Sequence, residues 1–401
     1  MALTVETFNL RDTDDDYRRD PYPMLKQLRD KRPLFQNPDG SYVVTRYADV
    51  DKILTSNDVS VEKSAEYRKI MGDGPILEFQ LSAMTTWDPP AHGKLRGTLA
   101  AAFTPRAMRT WEAMIAETVD DLLVEPRKTG KMDLISDFSA ALPLTVICKM
   151  LNVPTDMWTR FRAWAGSITT SLDPAAGPDI IALADQHTNE WKEFLGAQLN
   201  DRRRNPGDDL ISLMLANQPA DEPFSDEVII HNIALLLSAG HETTTALISN
   251  GIDNLLEFPD QAERLRKDPS LFTNAVEEFL RYDGPVQMGT RKTLKPIEVS
   301  GGTIPAGVIV WTVQGAADRD ERMFPDPDVL DVGRKNANKN IAFATGIHVC
   351  LGAPLARLEA KIALERLVHD FPKLCRDGKP TRHLRTRFRC FGSYPVLLYG
   401  K

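Results

Sequence analysis

Cys350 sits in the segment Phe343-Ala-Thr-Gly346-Ile-His348-Val-Cys350-Leu-Gly352. Leu355, Leu358 and Ile362 follow at i, i+3 and i+7, so a helix starts just after the cysteine, with Pro354 in its first turn. A thiol placed there faces free backbone N–H groups and the positive end of the helix dipole. Both pull its pKa down from about 8.5 and favour the thiolate, the form that ligates a metal. Gly346 and Gly352 let backbone approach closely on both sides. A buried inert thiol is the plainer reading of a lone cysteine, and this setting argues against it.

A second group lies in Ala239-Gly240-His241-Glu242-Thr243-Thr244-Thr245. Gly and Thr are weak helix formers, and Thr hydroxyls bond back onto the preceding turn. An acid in an apolar stretch is costly without a partner or a task. Local rules broken where burial is greatest often mark function, although a kinked helix with a Ser/Thr packing face accounts for the same residues. A third pair, Glu278-Phe-Leu-Arg281, has i,i+3 ion-pair spacing and says little alone.

These groups need long helices to hold them. Ser225 is a good N-cap, with Asp226 and Glu227 suiting the positive helix end, and the helix continues to Glu257. At about 1.5 Å per residue it spans about 50 Å and crosses the interior. Helices are also expected over Thr155–Thr170, capped by Thr155, and over Asp179–Arg204. The breaker-rich Ser171–Pro178 between them makes either a movable lid or a plain surface hairpin. Strands are expected at Ser41–Tyr47 after the turn Asn37-Pro-Asp-Gly40, within Ile297–Val313, and over Arg385–Leu398. The pattern is mainly α with small β-sheets.

Composition sets the outer bounds. The 401 residues carry 49 basic and 56 acidic side chains, a net charge of -7 that argues against a general nucleic-acid binder. The four cysteines, Cys148, Cys350, Cys375 and Cys390, contain no CxxC pair, against a four-thiolate metal site and in favour of a reducing compartment. The first residues carry acids where a signal peptide has an apolar core, and no run of about 18 apolar residues is seen. A soluble cytoplasmic protein is expected. With no repeat, linker or shift in composition, residues 1–401 read as one domain.

Taken together, the three motifs resemble those of the bacterial cytochromes P450, soluble haem-thiolate monooxygenases. The cysteine segment is similar to F-x-x-G-x-H-x-C-x-G, with Ala344 where the family commonly has glycine. Ala239–Thr244 resembles A-G-x-[D/E]-T-[T/S], and Glu278–Arg281 resembles E-x-x-R. The resemblance spans nearly the whole chain. It implies a triangular-prism fold with haem b between the long helix and the loop bearing Cys350, the axial ligand. Phe343, Gly346, Gly352, Ala239 and Gly240 would border the haem. His92 and Arg96, in Asp88-Pro-Pro-Ala-His-Gly-Lys-Leu-Arg, with Arg291 and His348, would meet its propionates. Glu278 and Arg281 would pair with Arg334 as a structural trio. Glu242 and Thr243 would deliver protons to oxygen.

The resemblance also implies a pocket lined by Phe79, Leu81, Met84, Leu235, Ser238, Val286, Gln287, Gly289 and Phe388. These suit a small hydrophobic or aromatic substrate, with Gln287 and Ser238 available to a polar end. The basic stretch Arg382–Arg389 fits either an acidic substrate or a charged edge strand. Electrons would come from a ferredoxin with a separate reductase, docking on Lys94, Arg106, Arg109, Arg357 and Lys361 of a monomer with no membrane attachment. Three other readings stand beside this one: a peroxide-driven peroxygenase, a non-catalytic haem binder, and, least in accord with the motifs, a cysteine-nucleophile hydrolase.

Overall fold

The computed structural model describes residues 4–154, 157–173 and 176–400. Its axis is the central helix Asp226–Glu257, which runs unbroken through Gly240. Ser225 caps it as expected, its Oγ accepting from the Val228 amide at 3.3 Å. Ile229, Ile233, Leu237, Leu247, Ile248 and Ile252 are buried along it, so tertiary packing rather than propensity holds this weak-forming segment helical. Thr243 and Thr245 donate their hydroxyls to the carbonyls of Ala239 and His241 at 2.7 and 2.8 Å. These bonds satisfy the threonines without breaking the backbone pattern.

The helices Trp158–Ser171 and Pro178–Arg204 pack on this axis. Phe161, Trp164 and Trp191 lock them together, with the Phe161 and Trp191 rings stacked at 5.0 Å. Thr155, the expected cap, lies outside the described residues. The helix Ala353–Asp370 starts where the apolar spacing placed it, with Pro354 in its first turn.

The β-structure is more fragmentary than expected. A five-stranded sheet has the order Leu34–Gln36, Tyr42–Val44, Ile309–Thr312, Gly289–Thr293, Val59–Ser60. Only the Tyr42–Val44 and Ile309–Thr312 pair is parallel among its neighbours. The hairpin at Asn37–Gly40 forms, with Gly40 at φ +87°. The strand expected to reach Tyr47 stops at Val44, because Tyr47 opens the helix Tyr47–Thr55. Of Arg385–Leu398, only Phe391–Ser393 and Pro395–Leu397 are strands. Residues 385–390 form a loop joined to the sheet side by one bridge, Val286 to Phe388.

The window Leu134–Leu151 is long and apolar enough to cross a membrane, but 83% of it is buried inside the protein and it carries Asp137 and Lys149. It is a core segment, covered by its own fold.

Candidate functional site

The cavity between the central helix and the cysteine loop has a volume of about 390 Å³. Cys350 enters it from one side. Its amide donates to the Phe343 carbonyl at 3.0 Å, and the Ala353 amide donates to its own carbonyl at 3.4 Å, which closes the loop onto the helix start. The sulfur is enclosed by protein yet opens on the cavity. Burial pushes the thiol up, against the pull of the Gly352 and Ala353 amides and of Arg96 and Arg357. The sequence expectation of a lowered pKa is therefore corrected. The helix end acts in the expected direction, but desolvation of the charged form outweighs it.

Ala239, Gly240 and Thr243 contribute to the cavity wall from the central helix. A Cβ built on Gly240 or on Gly352 meets no atom within 4 Å, so both glycines border open space. His92, Arg96, Arg291, His348 and Phe343 also line the cavity. The rings of His92 and His348 lie 4.1 Å apart. Burial, then His92 and Arg291, push the His348 pKa down to about 3. Arg291 is positioned by the register of its strand, opposite Val310.

Two residues expected at the haem side stand back from the wall. Gly346 holds the loop against the helix Tyr47–Thr55: it has φ +74°, and a Cβ on it would lie 2.6 Å from the Leu54 carbonyl oxygen. Ala344, where the resemblance expected glycine, adopts φ +59°, a conformation costly for a residue with a Cβ. Glu242 points away from the cavity. Its Oε1 accepts from Arg385 Nη1 at 2.5 Å and from the Cys390 thiol at 3.7 Å, while its Oε2 is buried without a partner.

Of the expected pocket residues, Phe79, Met84, Leu235, Ser238, Val286, Gly289 and Phe388 line the cavity. Leu81 and Gln287 do not. Leu81 packs against the main core, and Gln287 Nε2 donates to the Gly284 carbonyl at 2.8 Å. Ser238 uses its hydroxyl on the Leu235 carbonyl at 3.2 Å. Sequence reasoning missed Lys63, Tyr67, Thr169, Leu172 and Gln314, all on the wall. No motif flagged them, and their elements carry no shared periodicity.

The trio Glu278, Arg281 and Arg334 assembles as expected. Glu278 is fully buried and takes Arg281 in a fork at 2.7 and 2.8 Å and Arg334 at 3.1 Å. The remaining arginine donors reach carbonyls of Asp318, Pro325, Asp326, Pro327 and Val329. One ion cluster thus ties the 325–334 loop to the helix Phe272–Asp283. Arg357 and Lys94, expected to be free for docking, are engaged by Glu277 at 2.6 Å and Glu222 at 2.9 Å.

The donor set fits a haem: a thiol for the metal, two arginines and two histidines for two carboxylates, and glycines where bulk would intrude. The family model for "Cytochrome P450" matches residues 176–389. The chain is 35% identical over 378 residues to the putative cytochrome P450 YjiB of Bacillus subtilis, covering 93% of this chain and 92% of that one. It is 37% identical over 383 residues to a vitamin D(3) 25-hydroxylase of Pseudonocardia autotrophica, with 93% and 92% covered. Among solved structures it resembles P450BioI in complex with an acyl carrier protein ligated to hexadec-9Z-enoic acid (TM-score 0.90, 32% identity, 96% and 100% covered). CYP109E1 of Bacillus megaterium bound to testosterone is similar too (TM-score 0.87, 30% identity, 96% and 100% covered). With the fold, the cysteine loop and these relatives in agreement, the chain belongs to the cytochrome P450 family and is a P450 monooxygenase.

Proposed function

We propose that the protein inserts one oxygen atom of O2 into a small hydrophobic or aromatic substrate, with haem b held by Cys350. The observation that carries this is the Cys350 sulfur opening on the same cavity as Gly240 and Thr243. When bound, the haem supplies oxygen activation, favoured by electron donation from the thiolate.

Arg96 and Arg291 would neutralise the haem carboxylates, and His92 and His348 would donate hydrogen bonds to them. Thr243 holds a proton at Oγ1, which it shares with the Ala239 carbonyl at 2.7 Å. Glu242 stands next to it in sequence, with Oε1 held by Arg385 and Oε2 buried without a partner. In this reading Glu242 passes protons to Thr243 by turning from Arg385 toward the cavity. Phe79, Leu235, Val286 and Phe388 exclude water and orient the apolar part of the substrate.

The electron donor in this reading is a ferredoxin with a separate reductase, acting on a cytoplasmic monomer. Since Lys94 and Arg357 are ion-paired, Arg106, Arg109 and Lys361 carry the docking charge.

The test is the reduced CO spectrum of the purified protein followed by turnover with reduced ferredoxin or with peroxide. A red-shifted Soret band lost in Cys350→Ser, and turnover with ferredoxin, support the reading. A colourless protein sinks it. Turnover with peroxide alone assigns a peroxygenase instead, and haem binding without turnover by either route assigns a non-catalytic binder.

A further inference from the structure

Arg382, Arg385, Arg387 and Arg389 form the basic C-terminal stretch. Three of them are committed to acids. Arg382 reaches Asp253 at 3.2 Å, Arg385 reaches Glu242 at 2.5 Å, and Arg389 reaches Asp283 at 2.5 Å. Arg387 differs: it lines the cavity beside Phe388, and its Nε is buried without a partner. Its Nη1 donates to the Leu172 carbonyl at 3.3 Å, and Asp173 lies near enough to act on its charge.

Lys63 lines the same cavity and is 7% exposed. Its ammonium donates to the Thr290 hydroxyl and lies 5.2 Å from the Tyr67 ring centre. An ammonium has three donor hydrogens, so that hydroxyl leaves donors to fill. Lys63 feels the charges of both Arg387 and Arg291, and no carboxylate is among the groups that act on it most; the Tyr67 hydroxyl is, also through a side-chain hydrogen bond. Tyr67 interacts with all three cations. Asp88 acts on Arg291, but its oxygens accept from the Ser60 hydroxyl and the Val61 amide. Phe79, Ile168, Leu172, Val286 and Phe388 make the rest of this part of the wall apolar.

Burying cations of one sign together is costly unless an anion joins them. Haem carboxylates would answer Arg96 and Arg291. We infer that the substrate of this cavity is an apolar carboxylic acid, its carboxylate held by Lys63, Arg387 and the Tyr67 hydroxyl and its hydrocarbon directed along Phe388. This deepens the monooxygenase reading and rests on it.

The test is spin-state titration of the holoenzyme with decanoic acid, decan-1-ol and methyl decanoate, repeated by calorimetry, which reads binding without the haem spectrum. The acid is expected to bind at least about tenfold tighter than either neutral ligand, the scale of one charge-assisted hydrogen bond. Lys63→Met and Arg387→Met are each expected to remove most of that preference while leaving alcohol binding in place, and Lys63→Arg to keep it. Equal binding of acid and alcohol by the wild type overturns the inference. So does a preference that survives in the Lys63→Met/Arg387→Met double variant. Faster haem loss to apomyoglobin in the variants, with the acid preference unmoved, also overturns it by assigning these cations to the haem carboxylates. A protein lacking the CO band fails the monooxygenase reading, whereas a normal band without acid preference fails only this inference.

Discussion

Glu242 and Arg385 meet at 2.5 Å although 143 residues separate them in the chain. The pair lies behind the cavity wall, with one carboxylate oxygen bound and the other buried and unpartnered. Arg385 thereby holds Glu242, the acid of the proposed relay. Arg385→Met is expected to leave substrate affinity within about twofold and to lower kcat by about tenfold, below the 10²- to 10⁴-fold span of an acid–base group itself. The solvent isotope effect on kcat should rise, and Arg385→Lys should restore part of the rate. Unchanged kcat and isotope effect in Arg385→Met would remove the arginine from proton delivery.

Thr243→Ala removes the hydroxyl bonded to Ala239. The variant is expected to keep consuming reductant while releasing peroxide in place of most of the product. Comparing reductant consumed, peroxide formed and product formed checks this, and unchanged coupling would contradict it.

Ala344 adopts φ +59° in the loop before Cys350. Left-handed backbone costs a residue with a Cβ about 1–2 kcal/mol, and glycine gives part of that back through its freer unfolded chain. Ala344→Gly is expected to stabilise the protein by about 0.5–1 kcal/mol in urea unfolding, with the CO spectrum intact. Destabilisation would show that the methyl packs usefully.

Glu278 is the sole carboxylate in contact with both Arg281 and Arg334 among the described residues. Glu278→Gln leaves two buried cations uncompensated and is expected to cost about 3–5 kcal/mol. Soluble, haem-loaded protein should fall to a small fraction of the wild-type yield.

Asp283 gives the pH dependence. Burial raises its pKa, but Arg389 and Arg382, with hydrogen bonds from Arg389 and Tyr22, outweigh that and hold it at about 2. A carboxyl depressed in the folded state stabilises above its unfolded value of 3.8 and loses that contribution as pH falls toward 2. The pair is therefore worth roughly 2 kcal/mol at neutral pH, lost across the window from about 4 to 2. Asp283→Asn should flatten acid unfolding in that window, measured by circular dichroism. An unchanged acid profile would place the titrating group elsewhere.

What the sequence disclosed was local chemistry. Ser225 with two acids behind it, and Cys350 ahead of an apolar i, i+3, i+7 series, each declare a helix start within a few residues, and both helices start there. What stayed hidden depends on distant chain. Glu242 could be read as an acid in need of a partner, but not as the partner of Arg385. Lys63 and Arg387 meet in one cavity only because the fold brings residues 63 and 387 together. Leu81 and Gln287 were misplaced because neighbours in sequence point to different sides, and the wall takes Gln80 and Met288 instead. The strand at Ser41–Tyr47 was overextended because Thr45 and Tyr47 are good strand formers, whereas the helix beginning at Tyr47 sets the limit.

Asn250, two turns beyond Glu242 on the central helix, donates to the carbonyls of Asp283 and Arg389 at 3.0 and 3.2 Å. The loop bearing Arg385, Arg387 and Phe388 is therefore clasped to that helix at both ends of its span. Any guest that displaces Phe388 must strain the same clasp that fixes Glu242, so the shape of the molecule being oxidised would set how readily protons arrive.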